Sequence, residues 1–176
     1  MAAGDLLQRH LELWQAATRH RFLDGIKDGT LPERAFKRWL AQDYLFVADL
    51  LWFQARLLAR APRPAQAALA GGLVALEAEL GWFEVRSSDV GVALDAARLP
   101  ATAAYRALLE QLDAGDYPAG MVALWALERA YLEAWQSARP GAPAYREFAE
   151  HWTTPGFADY VAALERAAEN ALAAPD

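Results

Sequence analysis

Apolar residues recur three or four positions apart along most of this chain, and that period predicts helices. From Asp5 to about Ile26 the series Leu6, Leu7, His10, Leu13, Trp14, Ala17, Arg21 and Phe22 predicts one amphipathic helix, with Asp5 placed to cap it. Asp24-Gly-Ile-Lys-Asp-Gly-Thr-Leu-Pro then breaks the pattern. A second helix, about Pro32 to Arg60, carries the stripe Phe36, Leu40, Asp43, Val47, Leu50, Gln54 and Leu57. A third runs from about Ala65 to Arg86 on Leu69, Leu73, Leu76, Leu80 and Phe83, with Gly71-Gly72 marking either close packing or a weak spot. Ser87 to Pro100 is an irregular connection with room for one helical turn. A fourth helix, about Ala101 to Leu112, is expected to turn Tyr105 and Leu109 inward. Pro118 opens a long helix that closes before Arg139-Pro-Gly-Ala-Pro; a short one holds Tyr145, Phe148, Ala149 and Trp152, and the last spans Phe157 to about Ala173. Six to eight helices with short connections and no convincing strand predict an all-α bundle forming a single domain over residues 1–176.

Two of these stripes contain a carboxylate. The helix opened by Pro118 sets Met121, Leu124, Glu128, Tyr131 and Trp135 on one face, and Arg129, Glu133 and Gln136 on the other. Glu128 thus interrupts an apolar and aromatic face, as Asp43 does in the second helix, where Trp39, Tyr44 and Phe46 lie within a turn. An ionised carboxylate is costly to bury unless it is paired or keeps its proton. A single such Glu reads as an edge residue with its head in water, and a single Asp can bond a core Tyr or cap a neighbouring helix. Two of them, each beside aromatics, point to a polar pocket between helices. Trp82, one turn from Glu79 at the edge of the third stripe, reads as core by pattern.

Composition narrows the chemistry. Hydrophobic residues make up 55% of 176, Ala and Leu foremost, as packed helices require. A net charge of −6 without a Lys/Arg cluster argues against a nucleic-acid surface. No Cys is present, so disulfides, thiolate metal sites and a Cys nucleophile are excluded. The N-terminus lacks an apolar signal core and no apolar run reaches spanning length, so a soluble, cytoplasmic protein with no membrane partner is expected. Glu147 and His151, four apart, read as a solvated ion pair; no Glu-x-x-His motif, phosphate loop or nucleophile elbow occurs, and His20 between two Arg is a poor haem ligand. No metal or cofactor is expected.

Phe22-Leu-Asp-Gly-Ile-Lys-Asp-Gly-Thr-Leu-Pro, followed by Phe36 and Gln42-Asp43-Tyr44, resembles the N-terminal signature of the thiaminase II (TenA) family. Glu79-Leu-Gly-Trp-Phe83, Tyr105, Trp125-Ala-Leu-Glu-Arg-Ala-Tyr131 and His151-Trp-Thr-Thr-Pro-Gly-Phe157 resemble later blocks of its Glu-type branch. The resemblance covers nearly the whole chain. It implies a haem-oxygenase-like helical fold without haem, a homodimer or homotetramer, and a pocket for a small-molecule aminopyrimidine. By the same resemblance Asp43 grips the pyrimidine amino group and ring nitrogen; Phe46, Tyr105 and Trp152 are aromatic pocket residues, Trp82 joins the wall, and Tyr131 is the pocket Tyr. The family's catalytic Cys falls at Leu127, and its neighbour Glu128 takes over in the Glu-type branch. The family usually continues into one further helix with a Glu and a Phe-Trp pair, which this chain, ending at Asp176, is expected to lack.

The family's main reaction needs a thiolate nucleophile, which a chain without Cys cannot supply. The Glu-type resemblance implies instead hydrolysis of N-formyl-aminomethylpyrimidine or aminomethylpyrimidine in thiamin salvage. Glu128 would be the base and Tyr131 or Tyr105 the oxyanion donor. The alternative is a catalytically impaired pyrimidine-binding or regulatory protein with the same pocket.

Overall fold

The protein is described by a computed structural model over residues 2–174, and among these the chain forms nine α-helices and no strand. They are α1 (Ala3–Arg9), α2 (Leu11–Thr18), α3 (Arg21–Asp28), α4 (Glu33–Arg60), α5 (Arg63–Asp89), α6 (Pro100–Ala114), α7 (Tyr117–Ala138), α8 (Arg146–His151) and α9 (Pro155–Ala173). Proline in the first turn of α5, α6 and α9 sets where each begins, its missing N–H being one of the donors a helix start leaves unpaired anyway. Thr154 completes the start of α9 by accepting from the Phe157 N–H at 3.2 Å.

The predicted N-terminal helix is three. His10, with φ −123° and ψ 37°, separates α1 from α2, and Arg19, in extended conformation, ends α2. Thr18 turns its hydroxyl back onto the Trp14 carbonyl at 2.9 Å, a bond that competes with the helical ladder. His20 then starts α3, its Nδ1 accepting from the Phe22 N–H at 3.1 Å. Asp5 caps as expected but from inside the first turn, accepting from the Ala2 N–H at 3.0 Å. Residues 92–99 contain no helical turn.

The chain gathers into two compact units, one formed by everything up to Pro32 together with the stretch from Met121 onward, the other by Glu33–Gly120. In the second unit α4 packs along α5 and α6. Its predicted stripe is buried throughout, Phe36 to Leu57, including Asp43 and Gln54. Gln54 keeps its place in the core by donating to the Leu69 carbonyl on α5 at 2.8 Å. Helix α5 runs unbroken through Gly71-Gly72. Gly120 allows the first turn of α7 close to α4, since a Cβ there would lie 3.0 Å from Leu57. Arg56 and Arg60 reach the far end of α6, pairing with Asp113 and, from Arg60, bonding the Asp113 and Gly115 carbonyls. That is where a helix leaves acceptors unpaired and favours positive charge.

In the first unit α1 packs on α9. The glycines of the α3 turn have separate reasons. Gly29 ends α3 in the left-handed region at φ 80°, its N–H returning to the Gly25 carbonyl at 3.0 Å. Gly25 lies under the returning chain, where a Cβ would be 3.0 Å from the Leu31 nitrogen and Cβ. The turn is held from outside as well, the Ala142 N–H donating to Ile26 at 3.0 Å and Tyr145 Oη to the Leu31 carbonyl at 3.0 Å. On α7, Glu133 accepts from Trp14 Nε1 at 2.8 Å and pairs with Arg129, which tethers α2.

Candidate functional site

In the first unit Glu128 sits on α7 at 6% exposure, so its carboxylate is within the core face and not at an edge with its head in water. Met121, Leu124 and Trp135 of the same stripe are buried with it. Tyr131, one turn on, is half-buried and meets Trp135 at 6.2 Å between ring centroids. Trp152, which follows α8 and is 3% exposed, is the hub of this cluster. Trp135 lies tilted by 31° to it at 4.6 Å, Tyr131 edge-on at 5.5 Å, and Phe148 at 6.3 Å. His151 stands perpendicular to Trp152 at 4.9 Å, half-buried, and that burial lowers its pKa from the ordinary imidazole value. Of the pair expected to be solvated, Glu147 is exposed and His151 half-buried.

In the second unit Asp43 is buried on α4, one turn before the half-buried Phe46. Tyr105 of α6 packs against Phe46 at 5.2 Å and 65°. Tyr105 is not turned inward as its helical pattern predicted: it is 43% exposed, while Leu109, one turn on, is fully buried. Trp82 is half-buried, its ring perpendicular to that of Phe83 at 5.5 Å. Phe83, fully buried, carries this contact on to Trp39 and Tyr44 of α4. Tyr44 Oη donates to Glu84 at 3.1 Å; burial, and then this carboxylate, hold its pKa above the ordinary phenol value.

Sequence reasoning passed over a polar cluster in this unit. Asp49 is 3% exposed and accepts from Arg98 at 2.8 and 3.1 Å and from Arg106 at 3.0 Å. Arg106 also bonds Glu110 at 2.7 Å and lies 4.4 Å over the Trp52 ring. Two turns earlier on α4, Gln42 accepts from the Leu99 N–H and Thr102 Oγ1, both at 2.8 Å, and donates to the Ala97 carbonyl at 3.1 Å. The one local signal was Asp49 itself, an acidic residue flanked by Ala48 and Leu50.

Among the described residues no group of three His, Asp or Glu side chains could hold a metal ion, and no helix is long and apolar enough to cross a membrane. The all-helical fold is one that solved structures share. The fold matches a TenA homologue from Pyrococcus furiosus with a TM-score of 0.91, at 30% identity, covering 98% of this chain and 85% of that one. It also matches a TenA family transcription regulator from Silicibacter sp. TM1040 with a TM-score of 0.88 over 97% of this chain and 80% of that one; at 23% identity this likeness shows the fold alone. The architecture is the haem-oxygenase-like helical fold that the resemblance implied. The sequence profile of the TENA/THI-4/PQQC family matches residues 7–175, and the chain belongs to that family. A Glycine max protein named "Probable bifunctional TENA-E protein" is 33% identical over 178 aligned positions, 94% of this chain and 78% of that protein. An aminopyrimidine aminohydrolase from Halalkalibacterium halodurans is 37% identical over a local stretch of 47 residues, 27% of this chain and 21% of that enzyme.

Proposed function

We propose that this chain is an aminopyrimidine hydrolase of thiamin salvage, acting on N-formyl-aminomethylpyrimidine or aminomethylpyrimidine with Glu128 as general base. The observation that carries the reading is Glu128 itself, a carboxylate at 6% exposure on a face otherwise apolar and aromatic. Its likeness to a TENA-E protein and, locally, to an aminopyrimidine aminohydrolase supports the substrate class.

With no Cys in the chain, the nucleophile is water. Glu128 takes a proton from it as its oxygen attacks the formyl carbon, or the methylene carbon of the unformylated substrate. The carbon–nitrogen bond then breaks and the same proton passes from Glu128 to the leaving amine. For the formyl substrate, Tyr131 or Tyr105 donates to the carbonyl oxygen as it gains charge. Asp43 accepts from the exocyclic amino group and the protonated ring nitrogen, a charge-assisted pair that fixes the ring's orientation. Phe46, Tyr105, Trp82 and Trp152 supply aromatic faces and edges to the ring.

The test is Glu128→Gln, which keeps size and hydrogen-bonding capacity and removes the proton acceptor. Release of formate and ammonia should fall by about 10²-fold or more while pyrimidine binding and melting temperature stay near wild type. Equal turnover in both proteins would end the general-base assignment. Binding without turnover in the wild type would establish a pyrimidine-binding protein instead.

A further inference from the structure

The Phe46–Tyr105 contact is bracketed by polar side chains on both of its helices. On α4, Gln42, Phe46 and Asp49 follow at i, i+4 and i+7 and so share a stripe, beside the one that forms the core. On α6, Thr102, Tyr105 and Arg106 follow at i, i+3 and i+4. Gln42 holds Thr102 and the backbone leading into α6; Asp49 holds Arg106 and, through Arg98, that same backbone. The aromatic pair lies between these two attachments.

Packing alone anchors α6 poorly. Only Thr102 and Leu109 of its residues are buried, and Tyr105 and Leu108 are each 43% exposed. A slip of one helical turn along α4 would carry Tyr105 off Phe46 by about 5.4 Å. Asp49 resists that slip, because its carboxylate is 4% exposed and its bonds to two guanidinium groups leave no second arrangement of equal energy. The cluster is weak evidence of stability, since Arg98 and Arg106 are 39% and 32% exposed and ion pairs open to water on one side contribute little, whereas fixing register is the best-attested use of a carboxylate buried in such a pair.

We propose that Asp49, with Gln42 as the second attachment, is a positioning residue that sets Tyr105 against Phe46 and thereby shapes the surface offered to the pyrimidine ring. This rests on the reading above that Phe46 and Tyr105 meet that ring. Asp49→Asn keeps the shape and removes the charge that holds Arg98 and Arg106 together. The protein is labelled with 3-fluorotyrosine, and the Tyr105 signal is assigned with Tyr105→Phe. In Asp49→Asn that signal should shift or double while the other tyrosines stay. KM for the formylated pyrimidine should rise about tenfold, as for loss of uniform binding, with kcat within about twofold where Tyr131 is the oxyanion donor and lowered as well where Tyr105 is.

A lowered melting temperature with the Tyr105 signal and KM unmoved would make Asp49 a stability contact and overturn the proposal. A shifted signal with KM unchanged would equally overturn it. If the wild type neither binds nor turns over a pyrimidine, the hydrolase reading falls, and the fluorine shift decides the attachment of α6 by itself. Should Asp49→Asn fail to fold, Arg106→Gln, which leaves Asp49 paired with Arg98, is judged by the same two measurements.

Discussion

The phenol ring of Tyr131 stands at 90° to the indole of Trp152, with centroids 5.5 Å apart. This contact ties the helix that carries Glu128 to the segment following α8, and it shares Trp152 with His151 on the neighbouring position. An edge directed at an aromatic face is a favoured arrangement, so Trp152 is oriented by its neighbours as well as enclosed by them. The consequences are measurable on both sides of the indole.

On the His151 side, pH is the probe. Burial depresses the imidazole's pKa below the ordinary 6.5, so the unfolded chain binds this proton more readily than the folded one. The stability contributed by neutral His151 is therefore complete above about 6.5 and is lost as pH falls through the depressed folded value. Melting temperatures of wild type and His151→Gln, measured from pH 8 down to about 5, should show the wild type losing ground to the variant on the acid side. A constant difference across that range would contradict the burial effect.

On the substrate side, Asp43→Asn tests the proposed clamp. Replacing a buried carboxylate that bonds a protonated ring should weaken aminomethylpyrimidine binding by about 2–4 kcal/mol, with the fold retained. Quenching of Trp fluorescence during titration reads the affinity. Unchanged affinity would take Asp43 out of the site.

The α3 turn makes a prediction independent of any ligand. Gly29→Ala places a side chain at φ 80°, with its Cβ 3.1 Å from that of Ala142, and should destabilise the protein by about 1–2 kcal/mol. Gly71→Ala, in the interior of α5 where a Cβ meets nothing within 4 Å, should stabilise by about 0.5–1 kcal/mol. Urea denaturation of the two variants beside wild type checks both signs, and equal shifts would refute the conformational argument.

By itself the sequence determined the long helices and the carboxylates placed within them. Helices α4, α5 and α7 were legible because many turns repeat one period, and Asp43 and Glu128 because each breaks an apolar stripe that runs on past it. The roles expected of Phe46, Trp82, Tyr105 and Trp152 came from family resemblance, since an aromatic at helical spacing looks the same in a core and in a binding wall. The breaks at His10 and Arg19 went with tertiary contacts, α2 being held through Trp14 to Glu133, 119 positions away, and a periodic pattern this short does not resist such a tether. Tertiary structure alone decided the exposure of Tyr105, because α6 has too few buried positions for its pattern to show which way it turns. The attachment of Asp49 to Arg98 and Arg106 spans 49 and 57 positions of chain, and no local period reports on partners that distant. Such pairs form only once packing has brought α6 and the segment leading into it beside α4 and buried the Asp49 carboxylate.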